Sequence, residues 1–139
     1  MKTIELHTGE YEITFLTKEE YEAHRRQIPL INDWWWLRSP GFHSYYAAII
    51  DIGGSVRDFG SIVYDDGSAV RPALKSAILN LPIGEKFNTL GNRWVMIDDG
   101  FAISEDVITH RRYDSESNVW ETSELRKWLE AWAKEGENP

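Results

Sequence analysis

Three adjacent tryptophans, Trp34-Trp35-Trp36, constrain this chain more than any other feature. Each indole buries on the order of 200 Å² when packed and needs a partner for its N–H. Neighbouring side chains on a strand point to opposite faces. Trp34 and Trp36 therefore share one face, and Trp35 takes the other. Such a strand is expected to be covered on both sides. Pro40-Gly41 stops it, because proline lacks an amide donor and glycine tolerates a turn. The stretch that opens at Trp34 closes with Val70-Arg71-Pro72-Ala73-Leu74, where Pro72 implies an edge strand or a bulge.

The flanks divide into short pieces. Ile4 to Leu6 and Tyr11 to Leu16 read as strands, the second from the alternation of Tyr11, Ile13 and Phe15 with polar residues. Thr17 with Glu20 three residues on forms a capping box, which starts a helix over about 17–27 that Pro29 limits. Tyr45 to Ile52 and Ser55 to Phe59 face each other across Gly53-Gly54, a hairpin signal. Ile62 to Tyr64 and Val70 to Lys75 flank the turn Asp65-Asp66-Gly67. Gly84 to Thr89 and Arg93 to Asp98 form a second hairpin, with Trp94 and Met96 on one face and Val95 and Ile97 on the other. Phe101 to Ser104 and Val107 to Tyr113 are extended, and Asp114 to Asn118 is a polar loop. Thr122 or Ser123 starts a second helix, over about 122–134, whose apolar stripe is Leu125, Trp128, Leu129 and Trp132; 135–139 should fray. Two helices and about eight strands in this order predict an α+β fold with mostly antiparallel, twisted sheets.

Composition narrows the function classes. A chain of 139 residues fits a single domain over 1–139 and can bury a core without staples. Its 42% hydrophobic and 13% aromatic content argue against disorder. Cysteine is absent, which removes disulfides and thiolate metal sites and makes the cytoplasm the expected compartment. Nothing at the N-terminus reads as a signal peptide, and no apolar run approaches the roughly 20 residues that cross a bilayer. A net charge of -8 disfavours direct nucleic-acid binding, which needs a basic face. The same charge is what an inhibitor that imitates nucleic acid would carry.

Residues with catalytic or ligating chemistry do not group. His7, His24, His43 and His110 show no helical ligand spacing, and Glu20 with His24 lacks the H-E-x-x-H pattern. Asp65-Asp66 and Asp98-Asp99 precede glycine, as turns require. With Glu105-Asp106 they lack the alternating acids of a calcium loop. Ser39 is not in a nucleophile elbow, and the glycines form no phosphate loop. No catalytic residue, metal site or cofactor is therefore assigned.

Three arginines stand inside apolar motifs: Arg38, Arg71 and Arg126. An unpaired buried charge costs several kcal/mol, and the planar guanidinium suits a paired, buried site. At least two of the three are expected to be substantially buried on carboxylates or main-chain carbonyls. Together with Trp34, Trp36 and Trp128 they are assigned to the scaffold. The binding surface is assigned to Phe42, His43, Tyr45 and Tyr46 with Arg57, Asp58, Phe59 and Tyr64, side-chain types enriched at recognition surfaces.

The motif W-L-R-S-P-G at Trp36 to Gly41, the hairpin Ala47 to Gly54 and V-R-P-A-L at Val70 to Leu74 resemble the hallmark of an uncharacterised bacterial and phage domain family. Phe15 to Glu20 resembles the strand-then-helix that precedes the tryptophan strand there. Ile83-Gly84, Trp94-Val95, Phe101 to Glu105 and Trp120 to Leu129 resemble that family's opening half, here placed after V-R-P-A-L. The resemblance thus covers nearly the whole chain in circularly permuted order, an arrangement that requires the two ends to lie close together. It implies a C-type-lectin-like scaffold, in which loops between the strands hold the binding site, and it carries no activity.

The expected function is a small non-enzymatic binding domain of a bacterium or one of its phages or mobile elements. It would recognise a protein or glycan partner through the aromatic hairpin, as a monomer or homodimer, without cofactor, membrane or direct nucleic-acid contact. Two alternatives stand beside it. One is an acidic phage-encoded inhibitor of a host nucleic-acid enzyme such as a CRISPR nuclease. The other is a carbohydrate-active enzyme or sugar-binding module, which needs exposed tryptophans lining a cleft with two facing carboxylates.

Overall fold

The chain threads two sheets, and the segment that steps between them is Val70-Arg71-Pro72-Ala73. A computed structural model describes residues 1–137. Its strands are β1 (Lys2–Thr3), β2 (Glu12–Thr14), β3 (Trp35–Pro40), β4 (Tyr46–Ile50), β5 (Val56–Ile62), β6 (Ala69–Val70), β7 (Ala73–Lys75), β8 (Lys86–Thr89), β9 (Asn92–Asp98), β10 (Phe101–Ser104) and β11 (Thr109–His110). Helix α1 spans Lys18–His24, continued by a 3-10 turn at Arg25–Gln27, and α2 spans Glu124–Gly136. One sheet has the order β1-β8-β9-β10-β7-β2, the other β11-β6-β3-β4-β5. Pairing is antiparallel except for β1 with β8 and β3 with β6. The architecture is α+β with two mixed, mostly antiparallel open sheets.

The predicted strand Val70 to Lys75 is two strands in different sheets. Pro72 breaks it, since it has no N–H for either ladder. Arg71 stands at the step and is fully buried. Its Nε donates to the Ser104 carbonyl at 2.8 Å, its Nη2 donates to the Glu105 carbonyl at 3.2 Å, and its guanidinium lies 5.0 Å from the centre of the Trp35 ring. Burial pulls its pKa down to about 10, so it stays charged at neutral pH. This cation ties the two sheets together.

Trp35 and Trp36 point to opposite faces and enter different cores. Trp36 packs with Phe15, Trp94, Trp120 and Leu129, and Trp35 with Tyr21, Leu37, Ile50 and Ile103. The Trp36 Nε1–H donates to the Arg111 carbonyl, which satisfies the buried indole. Trp34 departs from the expected scaffold role. The strand begins one residue later, so Trp34 is not carried into the sandwich and is 40% exposed, with Arg57 lying over its ring. Trp128 is half-buried beneath Arg111, while Leu125, Leu129 and Ala133 form the buried edge of α2.

Capping follows the residues. The Thr17 hydroxyl accepts from Glu20 N, and the Glu20 carboxylate accepts from Thr17 N, completing the box. Ser39 supplies a further cap by accepting from Lys18 N. The second helix starts at Ser123, whose hydroxyl accepts from Arg126 N. It runs through Glu135 and Gly136 rather than fraying there; 138–139 lie outside the described residues. The first strand is Lys2–Thr3, not Ile4 to Leu6: the parallel ladder to β8 ends after Thr3, with Ile4 N donating to the Asn88 carbonyl, and Leu6 beyond it is buried in the core.

Candidate functional site

Five aromatic rings gather at the open edge of the second sheet. Phe42 and Phe59 stack with ring centres 5.3 Å apart and planes within 7°. His43 stacks on Tyr45 at 5.4 Å, and Tyr46 meets Phe59 edge-on at 5.0 Å. His43 and Tyr46 join the two pairs. Phe42 is 70% exposed and Phe59 55% exposed, so the cluster is largely in solvent.

The backbone puts it there. β5 is the outermost strand, and its pairing with β4 shifts between Ala47 and Ile49. In that bulge Gly60 has φ +87°, and a Cβ on it would stand 2.2 Å from the Ala47 carbonyl oxygen. The Phe59 carbonyl is thereby turned outward and accepts from Phe42 N at 3.0 Å. Gly41 permits the close approach, since a Cβ there would lie 2.5 Å from Phe59 O. The loop is pinned from the far half of the chain. Asn118 Nδ2 donates to the carbonyls of His43 and Tyr46, both at 3.0 Å, and Asn118 N donates to Ser44 O at 2.8 Å. Asp114 anchors that segment by accepting from the main-chain N–H groups of Glu124, Ser117 and Glu116. Desolvation pushes its carboxyl upward, but those N–H groups outweigh it and hold the pKa below the ordinary carboxylate range.

Of the eight residues assigned to the surface, Phe42, His43, Tyr45, Tyr46 and Phe59 come together. Tyr64 is exposed, but among the described residues no ring packs on it. Arg57 and Asp58 are engaged elsewhere. Arg57 Nε donates to Asp51 at 2.8 Å, and Asp58 pairs with Lys18 at 3.4 Å. Asn118, which fixes the loop, lay in the stretch read as a polar loop; its contacts are 72 and 75 residues away in sequence, and no local signal marks them.

The arginine expectation holds for Arg71 alone. Arg38 is half-buried, with a side chain 30% exposed and Glu20 at 4.0 Å, and the Arg126 side chain is 37% exposed and donates to the Glu121 carbonyl at 3.1 Å. Both lie at a surface cavity rather than inside a core, because β3 and α2 present these positions outward beside β2. The acidic pairs serve turns and ion pairs. Asp65 accepts from Gly67 N, Asp98 from Asp99 N, and Glu105 sits between Lys86 and Arg93. Among the described residues, no three His, Asp or Glu side chains assemble as a metal would require. No helix among them is long and apolar enough to cross a membrane.

Comparison with protein-family models, with curated proteins and with solved structures gives no match for this chain.

Proposed function

We propose that the chain is a non-enzymatic binding domain that recognises a protein partner through Phe42, His43, Tyr45, Tyr46 and Phe59. The observation that carries this reading is the Phe42–Phe59 stack, two apolar rings packed on each other in solvent. Single exposed apolar side chains are ordinary. A contiguous ring cluster held by two glycines and a donated amide is not; it marks an interaction site. Rings immobilised before binding lose little entropy on contact.

Two features favour a protein over a glycan. The stacked pair at the centre of the cluster, Phe42 and Phe59, offers no hydrogen bond to a sugar hydroxyl. Arg57 and Asp58, which could, are committed to Asp51 and Lys18. Mimicry of nucleic acid is less supported, because many acids stand beside bases, as in Lys75–Glu20, Lys86–Glu105 and Arg112–Glu124. Placement in a bacterium or phage, and a C-type-lectin-like scaffold in permuted order, rest on the sequence resemblance. The meeting of the chain's ends supports the permutation: Thr8 and Tyr11 both donate to Glu137.

The test is capture from bacterial lysate on immobilised protein, beside a glycan array. A retained protein that binds again in purified form, with no glycan bound, supports this reading. Glycan binding without a protein partner overturns it.

A further inference from the structure

Trp34, the tryptophan left outside the sandwich, lines a cavity of about 320 Å³ to which none of the five clustered rings contributes. That volume falls at the lower end of small-molecule sites, roughly 300–1,000 Å³. Buried Ile49 adds to its apolar wall, and Ser61, Asp65 and Ser68 supply its other polar side chains. Bonds on the page hold these residues together. Ala69 N donates to Trp34 O at 2.8 Å, which brings Ser68, the residue before, to the tryptophan. Gly67 N donates to Asp65 Oδ1 at 2.9 Å, and Ser61 Oγ donates to Asp65 Oδ2 at 3.2 Å.

The field in this cavity has one sign. Asp65 is its only charged side chain among the described residues, and its carboxylate meets an N–H and a hydroxyl there but no cation. Arg57, over the Trp34 ring at 5.8 Å, is balanced by Asp51 at 2.8 Å. Ser68 is 4% exposed, and its hydroxyl bonds to no group among the described residues. That hydroxyl is not sealed. The unpartnered side-chain atoms shut off from solvent belong to Arg38, Arg71 and Thr89, so the Ser68 oxygen opens onto the cavity. Ser61 spends its proton on Asp65 and keeps its lone pairs. An anion would meet only Asp65. A guanidinium fork asks for both carboxylate oxygens together, and each already accepts a bond from a different side. A primary ammonium has three donors, and the cavity offers three side-chain acceptors, Asp65, Ser61 and Ser68. An alkyl stem behind that ammonium has Trp34 and Ile49 to rest on.

We infer that this cavity binds a primary alkylammonium group, the nitrogen on Asp65, Ser61 and Ser68 and the stem along the Trp34 indole. The group is carried either by a lysine side chain or by a free amine. Trp34 then has a binding role in place of the scaffold role expected of it. The inference stands whether or not the aromatic cluster binds a protein, because its test uses neither.

Titration of the ¹⁵N-labelled chain with n-butylammonium chloride and with Nα-acetyl-lysine methylamide, at constant ionic strength, tests this. The expected result is a saturable shift of the Trp34 indole N–H and the Gly67 and Ser68 amides, with Kd on the order of 1–10 mM. Tighter binding of the blocked lysine names a protein side chain as the source, and tighter binding of butylammonium names a free amine. n-Butanol, with the same stem and no charge, should bind at least about tenfold more weakly. Ser68→Ala and Asp65→Asn should each weaken the amine by at least about fivefold. Since Asp65 is exposed and asparagine still accepts from Gly67 N, Asp65→Asn decides the matter should Ser68→Ala fail to fold. Absence of a saturable shift by either amine at on the order of 100 mM overturns the inference. So does equal affinity for butanol, or unchanged affinity in folded Asp65→Asn.

Discussion

Phe42 and Phe59, 17 positions apart in the chain, lie ring on ring with centres 5.3 Å apart while most of each faces water. The main-chain bond from Phe42 N to Phe59 O, at 3.0 Å, is the reason they meet. Ring contact of this kind contributes about 0.5–1.5 kcal/mol, far less than burial of both rings in a core would. Stability alone therefore does not account for their placement.

Gly60 should not tolerate a side chain. At φ +87° an alanine carries left-handed strain of about 1–2 kcal/mol. Its Cβ would also collide with the Ala47 carbonyl at 2.2 Å. Gly60→Ala is expected to cost about 3 kcal/mol or more in urea unfolding. Gly9 has φ +93° with nothing near its Cβ, so Gly9→Ala should cost less.

Asn118 should act on the loop more than on the fold. Asn118→Ala removes two donated bonds and should cost about 1–2 kcal/mol. Hydrogen exchange at the Gly41 and Tyr46 amides should accelerate, since their acceptors, Tyr46 O and His43 O, belong to the loop that Asn118 holds. Exchange in β9 and β10 should keep pace only with the global loss.

Arg71 should be intolerant even of lysine. A lysine ammonium cannot bond both the Ser104 and Glu105 carbonyls and also lie flat on Trp35. Arg71→Ala should lower stability by about 3–5 kcal/mol and Arg71→Lys by about 2 kcal/mol in chemical denaturation. Arg126→Ala, on the surface, should cost about 1 kcal/mol or less.

Acid should unfold the protein through a few named carboxyls. Desolvation pushes Glu20 up, but the Lys75 bond, the Thr17 N–H and the neighbouring charges leave it lowered; Asp51 is lowered by the Ser55 N–H and by Arg57; Asp114 is lowered as described. A carboxyl whose folded pKa is depressed contributes stability in full above its unfolded value, near pH 4, and loses it as pH falls through the folded value. Melting temperature should thus be level from neutrality to about pH 5 and drop below about pH 4. Asp114→Asn should flatten that drop and lower stability at neutral pH, because one amide oxygen cannot accept what two carboxylate oxygens accept.

The elements with strong local signals were legible in the sequence. The capping box at Thr17, the Gly53-Gly54 hairpin and the α2 stripe each depend on residues within a few positions, and each appears where the pattern put it. The α+β class followed from them. The split of Val70 to Lys75 between two sheets was not legible, because period-2 alternation does not say which sheet a strand joins. The exposure of Trp34 turned on a one-residue strand boundary, the least certain quantity in any such reading. Of the eight residues assigned to the binding surface, five come together at one edge, as their type and hairpin setting suggested. The commitment of Arg57 and Asp58 elsewhere, and the role of Asn118, depend on contacts that no local pattern encodes.

The most direct measurement of the central claim is the affinity of Phe42→Ser/Phe59→Ser for the captured partner, taken beside its melting curve. Serine at these solvent-facing positions is expected to weaken binding at least about a hundredfold, as loss of a hot spot does, with the melting temperature within about 4 °C of the parent. Unchanged affinity, or collapse of the fold, would contradict the account, for the rings would then be either idle or structural.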